Sequence, residues 1–141
     1  MTIYAESSAI LTWLLGEDRH DAVGALLQAA EEVVTSSITS VETDRTLIRT
    51  VQLGELSESE AAAKRIQFNQ TSGRWLLLAL EDDIIARARN RFPMEPVRAL
   101  DALHLASALA AREAVADLIV LSLDSVVRKN AGALGFEVLP A

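Results

Sequence analysis

Residues 98–125 read RALDALHLASALAAREAVADLIVLSLDS, and the remainder of the chain can be ordered around them. The first part predicts a helix over about 97–113, with Asp101 in its first turn. The unbroken apolar run at 118–121 is typical of a strand that is covered on both faces. Asp124 comes just after that strand. Because a parallel sheet gathers the ends of its strands at one ligand-binding edge, both aspartates are candidates for a functional site.

The composition fits one domain over residues 1–141, since 50% of the residues are hydrophobic and only 23% are charged. There is no cysteine and there are only two histidines, so a bound metal would be held by oxygen, which favours Mg²⁺ or Mn²⁺. The net charge of −7 argues against broad affinity for nucleic acid but permits local contacts or a basic protein partner. The apolar stretch at 9–15 is too short to span a bilayer, so we expect a cytoplasmic protein without membrane contact.

The hydrophobic pattern alternates between strands and helices along the whole chain. Strands are predicted at 2–5, 33–36, 75–80, 118–121 and 137–139. Helices are predicted at about 7–15, 19–31, 38–52, 58–71, 81–91, 97–113 and 124–134. Residues 57–60 have the form of a capping box, and Ile38, Val41, Ile48 and Val51 are expected to form the apolar face of their helix. This order predicts an α/β protein with a mostly parallel, five-stranded central sheet.

Four carboxylates are expected at the same edge of that sheet. Glu6 follows the first strand, and Glu42 lies in the first turns of the helix after the second strand. Asp101 lies in the first turn of its helix, and Asp124 follows the fourth strand. An acid that opens a helix commonly serves only the unpaired N–H groups there. Four carboxylates in one cleft repel each other, however, and a divalent cation removes that repulsion. The pattern therefore indicates metal-assisted phosphodiester hydrolysis, in which an activated water attacks phosphorus.

Other polar residues are expected to have supporting or structural roles. Ser8 and Ser122 lie near the same edge, where each could bind an acid, orient a water or simply cap a helix. His104, three residues after Asp101, is expected in the core or behind the acids, with metal ligation a lesser possibility. A glycine-rich phosphate loop and a Gly-x-Ser-x-Gly elbow are both missing, which removes support for an ATPase or a serine hydrolase. A phospho-receiver domain is disfavoured because no lysine follows a strand end.

Four sequence blocks together resemble the PIN-domain family, and within it the VapC-type toxins of prokaryotic toxin–antitoxin pairs. The blocks are Ile3-Tyr4-Ala5-Glu6-Ser7-Ser8-Ala9, Ser40-Val41-Glu42-Thr43-Asp44-Arg45, Leu100-Asp101-Ala102-Leu103-His104-Leu105-Ala106 and Leu121-Ser122-Leu123-Asp124. The third block is specific by itself, and the ordered set of four spans nearly the whole chain. The resemblance implies a three-layer α/β/α sandwich and a Mg²⁺- or Mn²⁺-dependent endoribonuclease. It also implies a homodimer and a cognate VapB-like antitoxin that blocks the cleft.

Carried over by position, the resemblance makes Glu6, Glu42, Asp101 and Asp124 the catalytic, metal-binding quartet. Ser8 and Ser122 match hydroxyl residues that support the first and the last acid. The family usually has Asp at the first position, so Glu6, one methylene longer, is expected to shift the metal geometry without abolishing activity. The alternative is a non-catalytic PIN-like module that acts through protein partners.

Two further surfaces follow from the nuclease hypothesis. Because the net charge is negative, RNA binding is expected to use local arginines on helices near the cleft. These are Arg45, Arg98, Arg112 and Arg128. An antitoxin with a basic tail is expected to lay a helix between the helices at 19–31 and 58–71. The candidate stripes are Val23, Leu26 and Leu27 on one helix and Ala62, Ile66 and Phe68 on the other.

Overall fold

The structure, a computed structural model that describes residues 1–141, is a five-stranded parallel sheet with seven helices on its two faces. The strands are β1 (Thr2–Ala5), β2 (Glu32–Ser36), β3 (Leu76–Leu78), β4 (Ile119–Leu121) and β5 (Glu137–Leu139). The helices are α1 (Ser7–Leu15), α2 (His20–Ala29), α3 (Ile38–Gln52), α4 (Glu58–Ser72), α5 (Asp82–Ala88), α6 (Ala99–Ala114) and α7 (Ser125–Ala133). The α/β class, the five strands and the three-layer arrangement predicted from the sequence are confirmed, and every strand pair is parallel.

The strand order is β3-β2-β1-β4-β5, so β1 lies at the centre. The chain moves outward from β1 to β2 and β3, and then crosses back to place β4 on the other side of β1. Ile3 of β1 is in register with Val33 of β2 and Ile119 of β4. Because the winding direction reverses between β1 and β4, a crevice opens at the carboxyl ends of these two strands.

The core lies on both faces of the sheet, as alternate residues of β1 demonstrate. Ile3 and Ala5 join a buried cluster with the helices α1, α2 and α4, including Phe68. Tyr4 points to the opposite face and joins a second cluster with α6 and α7, including Leu105. Burial on both faces explains why the strands read as continuous apolar runs.

Helix α3 has the predicted limits but buries a different face. Val41 and Ile48 are 58% and 48% exposed, whereas Thr39, Thr43 and Leu47 are buried. The apolar residues at helical spacing therefore do not all face the core, because Val41 and Ile48 are exposed. Small β-branched threonines fit where α3 approaches the sheet, and Thr39 bonds to Thr35 of β2. Val41 and Ile48 point away from the core, whereas Leu47 points into it.

The third strand and the helix after it are shorter than predicted. Only Leu76–Leu78 form β3, and Leu76 is half exposed because β3 is an edge strand paired on one side alone. Helix α5 ends at Ala88, after which the chain turns so that Phe92 enters the core. The predicted capping box of α4 is confirmed, with Ser57 and Glu60 bonded in both directions. None of the seven helices is long and apolar enough to cross a membrane.

Candidate active site

Glu6 occupies the centre of the crevice at the end of β1 and is only 3% exposed. It caps α1, since its carboxylate accepts the Ser8 backbone N–H at 3.1 Å. The same carboxylate accepts hydroxyl groups from Ser7 at 2.8 Å, from Ser122 at 2.7 Å and from Ser8. Four donors thus converge on two oxygens, which satisfies a buried charge that would otherwise be costly.

Ser8 and Ser122 connect the start of α1 to the loop after β4. Ser8 Oγ accepts the backbone N–H groups of Leu123 at 2.9 Å and Asp124 at 3.2 Å. Ser122 Oγ accepts the same Asp124 N–H at 3.1 Å. The structure therefore places both predicted supporting serines between the first and the last acid. These bonds fix the position of Asp124, whose Oδ1 caps α7 by accepting the Val127 N–H at 2.9 Å.

Glu42 reaches the crevice from α3 and is held at both carboxylate oxygens. Its Oε2 accepts Ser7 Oγ at 3.0 Å, and its Oε1 lies 2.6 Å from His104 Nε2. Ser7 therefore bridges Glu6 and Glu42, because the same hydroxyl also contacts Glu6. Ser7 of α1 and His104 of α6 thus orient Glu42, which α3 contributes.

Asp101 differs from the other three acids because it accepts no hydrogen bond that offsets its burial. The pKa of Asp101 is raised to about 6, and burial is the largest cause of this rise. The negative charges of Asp124, Glu6 and Glu42 contribute to this rise in pKa, whereas a positive charge on His104 would oppose it. All four predicted acids therefore act on one another at this edge of the sheet.

The donor set suits a hard divalent cation in its chemistry. Carboxylate oxygens are the preferred ligands of Mg²⁺, and a cation would relieve the repulsion that raises the pKa of Asp101. The arrangement is not a ready-made cage, since no group of three acidic or histidine side chains is positioned to hold a metal ion. Most of the hydrogen-bonding capacity of Glu6 is already used, whereas Asp101 and one oxygen of Asp124 remain available.

The four predicted arginines lie in different environments. Arg112 donates to the Leu134 carbonyl at 2.7 Å and lies over the Phe136 ring. It follows Asp101 by three helical turns, so it is near the opposite edge of the sheet. Arg128 donates to the Ser122 carbonyl at 2.8 Å, next to the acids. Arg45 and Arg98 are exposed, and Arg98 directly precedes α6.

Sequence reasoning missed the parts that Ser7 and Tyr4 take, and left His104 without a partner. Ser7 looks like a helix-opening serine, and nothing in its neighbourhood signals contact with an acid 35 residues away. Tyr4 looks like a core residue of a strand, yet its hydroxyl lies 2.8 Å from His104 Nδ1. The only available signal was the spacing of His104 from Asp101, which places both on adjacent parts of one helix surface.

The comparisons with known proteins agree with this architecture. The structure of VapC20 from Mycobacterium tuberculosis, described as a sarcin–ricin loop cleaving toxin, is 20% identical, with a TM-score of 0.68 and coverage of 98% of this chain and 99% of that chain. FitAcB from Neisseria gonorrhoeae is 18% identical, with a TM-score of 0.70 and coverage of 98% and 96%. A toxin–antitoxin complex from Klebsiella pneumoniae is 16% identical, with a TM-score of 0.62 and coverage of 98% and 96%. At these identities the likeness concerns the fold.

No curated protein matches the sequence of this chain. The family model described as the PIN domain, in contrast, matches residues 3–133. That range contains all four acids, the three serines around them, and His104 with its partner Tyr4. By its sequence and by its fold, this chain belongs to the PIN domain family.

Proposed function

We propose that this PIN domain is a divalent-metal-dependent endoribonuclease, acting as the toxin of a toxin–antitoxin pair in the cytoplasm. The observation that carries the proposal is the convergence of Glu6, Glu42, Asp101 and Asp124 at the crevice beside β1, where their mutual repulsion is visible at Asp101. Such a concentration of negative charge destabilises a protein unless it serves a ligand of opposite charge. The likeness to toxins that carry this fold supports the assignment.

Asp101 and Asp124 would hold Mg²⁺ or Mn²⁺, with Glu6 and Glu42 completing the negative surroundings. When bound, the cation would neutralise charge on the carboxylates and the phosphate and would make the attacking water more acidic. Glu6 and the serines around it keep the loop after β4 in place, so that Asp124 faces the crevice. The exposed Arg45 and Arg98 are suited to contact RNA phosphates, with Arg128 next to the acids, whereas the contacts of Arg112 suit a structural part.

Cleavage of bulk RNA by the purified protein tests this function. We expect cleavage with Mn²⁺ or Mg²⁺, its loss with a chelator, and its loss in Asp101→Asn. The matched control is Asp117→Asn, an exposed aspartate before β4 at the opposite edge of the sheet. Metal-dependent cleavage that survives in Asp101→Asn would contradict the assignment of the site.

The second candidate is a non-catalytic PIN module that acts through protein partners. It is favoured by one observation, namely that no three acids are positioned as a metal cage while Glu6 is occupied by four donors. A folded protein that binds its partner but cleaves no RNA at any divalent metal concentration would support this candidate.

A groove of about 1000 Å³ between α2 and α4 is the proposed seat of an antitoxin helix. Its apolar lining includes Trp13, Leu27 and Trp75, and its rim carries charges of both signs. The predicted stripes need correction, because Val23 and Phe68 are buried in the core. Leu26 also packs against that core, whereas Ala62 and Ile66 are exposed outside the groove.

The groove does not lie beside the four acids. Its lining includes Glu32 and Val33 at the start of β2 and Trp75 just before β3, so it lies toward the amino ends of the strands. The acids lie at the carboxyl ends. A partner that fills both the groove and the crevice must run along the length of the strands. A five-residue strand is roughly 17 Å long, which about five extended residues would cover.

Co-expression with the product of the adjacent upstream reading frame tests the partner. We expect a stable complex in which RNA cleavage is suppressed. Ala25→Arg, which fills the groove, should weaken the complex, whereas Ala62→Arg, on the exposed surface of α4 outside the groove, should not. Co-purification without any effect on cleavage would overturn the antitoxin assignment and leave the nuclease assignment in place.

A further inference from the structure

His104 is a buried ionisable residue for which the proposed chemistry has no direct use. It lies on α6 and is only 1% exposed. Both ring nitrogens have partners: Nε2 is 2.6 Å from Glu42 Oε1, and Nδ1 is 2.8 Å from the Tyr4 hydroxyl. A buried imidazole with two such contacts is fixed in orientation, since rotating the ring would break both.

The partners of His104 determine where its proton lies. An ionised carboxylate only accepts hydrogen bonds, so Nε2 must carry the hydrogen that points to Glu42. In a neutral imidazole the other nitrogen is then an acceptor, and the Tyr4 hydroxyl must donate to Nδ1. A phenol keeps its proton at neutral pH, so the Tyr4 hydroxyl, 2.8 Å from Nδ1, can supply the hydrogen that this bond needs.

The fixed position of His104 in turn restricts the side chain of Glu42. A glutamate side chain has three rotatable bonds, and Glu42 comes from a helix whose neighbouring residue, Val41, points to solvent. His104 holds one carboxylate oxygen and Ser7 holds the other, so Glu42 has one defined position in the crevice. The strand β1 therefore acts on the site twice, through Glu6 at its end and through Tyr4 behind His104.

We propose that His104, fixed by Tyr4 as the tautomer with hydrogen on Nε2, is the positioning residue of Glu42. The role in catalysis rests on the nuclease function proposed above, while the tautomer does not. His104 does not touch the substrate and transfers no proton in this assignment. Its effect is to keep a flexible carboxylate in the orientation that the reaction requires.

The tautomer is tested by ¹⁵N NMR of the folded protein, without RNA or metal. The chain has only two histidines, and His20 is partly exposed, so the variant His20→Gln assigns the His104 signals directly. We expect a directly bonded hydrogen on Nε2 and an acceptor-type Nδ1. In Tyr4→Phe, which removes only the hydroxyl, the Nδ1 signal should lose its hydrogen-bonded character. A hydrogen on Nδ1 in the unchanged protein would overturn the proposal.

Kinetics test the positioning role. We expect His104→Leu to lower kcat roughly 10- to 100-fold with little change in KM for RNA, the usual effect of removing a partner of a metal-binding side chain. His104→Gln, whose amide can still donate to Glu42, should recover at least part of that loss, and Tyr4→Phe should lower kcat about tenfold or less. His20→Gln is the control and should match the unchanged protein.

The outcomes separate the two proposals. A folded His104→Leu variant with unchanged kcat would show that His104 is a core residue only. Should His104→Leu fail to fold, the comparison of Tyr4→Phe and His104→Gln with the unchanged protein decides, because an unchanged kcat in both would overturn the positioning role. If the unchanged protein cleaves no RNA, the nuclease function fails, and the ¹⁵N spectrum alone decides whether His104 holds Glu42 as proposed.

Discussion

At the scale of single residues, the four acids divide into two kinds. Glu6 and Glu42 accept several hydrogen bonds each and are organised by serines and by His104. Asp101 and Asp124 retain oxygens that no protein donor satisfies. The first kind builds the crevice and the second is available to a ligand. The Glu6 carboxylate has a structural use, because it accepts the Ser122 hydroxyl and also caps α1.

The variant Glu6→Gln is expected to lower the free energy of unfolding by about 2 kcal/mol, because the amide nitrogen cannot accept two of the four donors. Urea unfolding measures the loss. The matched control is Glu17→Gln, the same change at an exposed position just after α1, which should alter stability by less than about 0.5 kcal/mol. Glu6→Asp keeps both acceptor oxygens and should retain cleavage. Equal stability of Glu6→Gln and the control would show that the serines need no anion.

The pKa of Asp101 predicts a specific dependence of stability on pH in metal-free protein. The pKa is about 6 in the folded state against an ordinary value of 3.8, so the folded state binds the extra proton between these values. Stability due to this group is therefore lost as the pH rises through that window. Above this pH range, the free energy of unfolding of Asp101→Asn should exceed that of the unchanged protein by about 1 kcal/mol. This figure is reduced because Asp101 is partly exposed.

Thermal unfolding with a chelator over a series of pH values measures this difference. The advantage of Asp101→Asn should vanish below the ordinary pKa of 3.8, where both side chains are neutral. A difference that is constant across the series, or one that favours the unchanged protein, would argue against repulsion among the four acids.

At the scale of elements, local signals predicted helix ends well because the bonds that fix them are local. Gly16 closes α1 in the left-handed conformation, and the Ser57–Glu60 capping box opens α4. The buried face of α3 could not be predicted in the same way. Periodicity records which residues are apolar, whereas packing space decides that threonines face inward and Val41 and Ile48 face outward. The bonds of His104 span 62 and 100 residues, which no local pattern reveals.

The exposed stripe on α3 is the surface that we propose for the homodimer that the family resemblance implies. Val41 and Ile48 are separated by two helical turns and lie on one face with Arg45 between them, so a dimer contact here would leave Arg98 and Arg128, rather than Arg45, to contact RNA. The double variant Val41→Ser, Ile48→Ser is expected to shift the protein from dimer to monomer in sedimentation, with little loss of monomer stability. Met94→Ser, an equally exposed apolar residue in the loop before α6, is the control. A dimer that persists in the double variant would place the interface elsewhere.

At the scale of the whole molecule, the sheet separates two surfaces of different character. The acids occupy the carboxyl ends of the strands, and the groove between α2 and α4 lies toward the amino ends. With a net charge of −7, the molecule repels RNA at long range and attracts basic segments. In the proposed function, RNA binding would therefore depend on a bound cation, whereas charge would assist the approach of a basic partner.

Metal binding should accordingly stabilise the whole fold, because the cation relieves repulsion only in the folded state. At a metal concentration of about 100 times Kd, the expected gain is about 2.7 kcal/mol, which corresponds to a rise in Tm of several degrees. Asp101→Asn should abolish this response to Mn²⁺, while Asp117→Asn should keep it. Identical melting curves with and without millimolar metal at low salt would count against the site.

The groove between α2 and α4 also determines the tryptophan fluorescence of the protein. The chain has two tryptophans, Trp13 and Trp75, whose ring centroids are 6.4 Å apart, and both line the groove. All indole emission of this protein therefore originates at this groove. A helix that settles there would exclude water from both rings and shift their emission to shorter wavelength, without any added dye. RNA bound at the other edge of the sheet should leave the emission spectrum unchanged. Tryptophan fluorescence therefore distinguishes the binding of a partner helix from the binding of RNA.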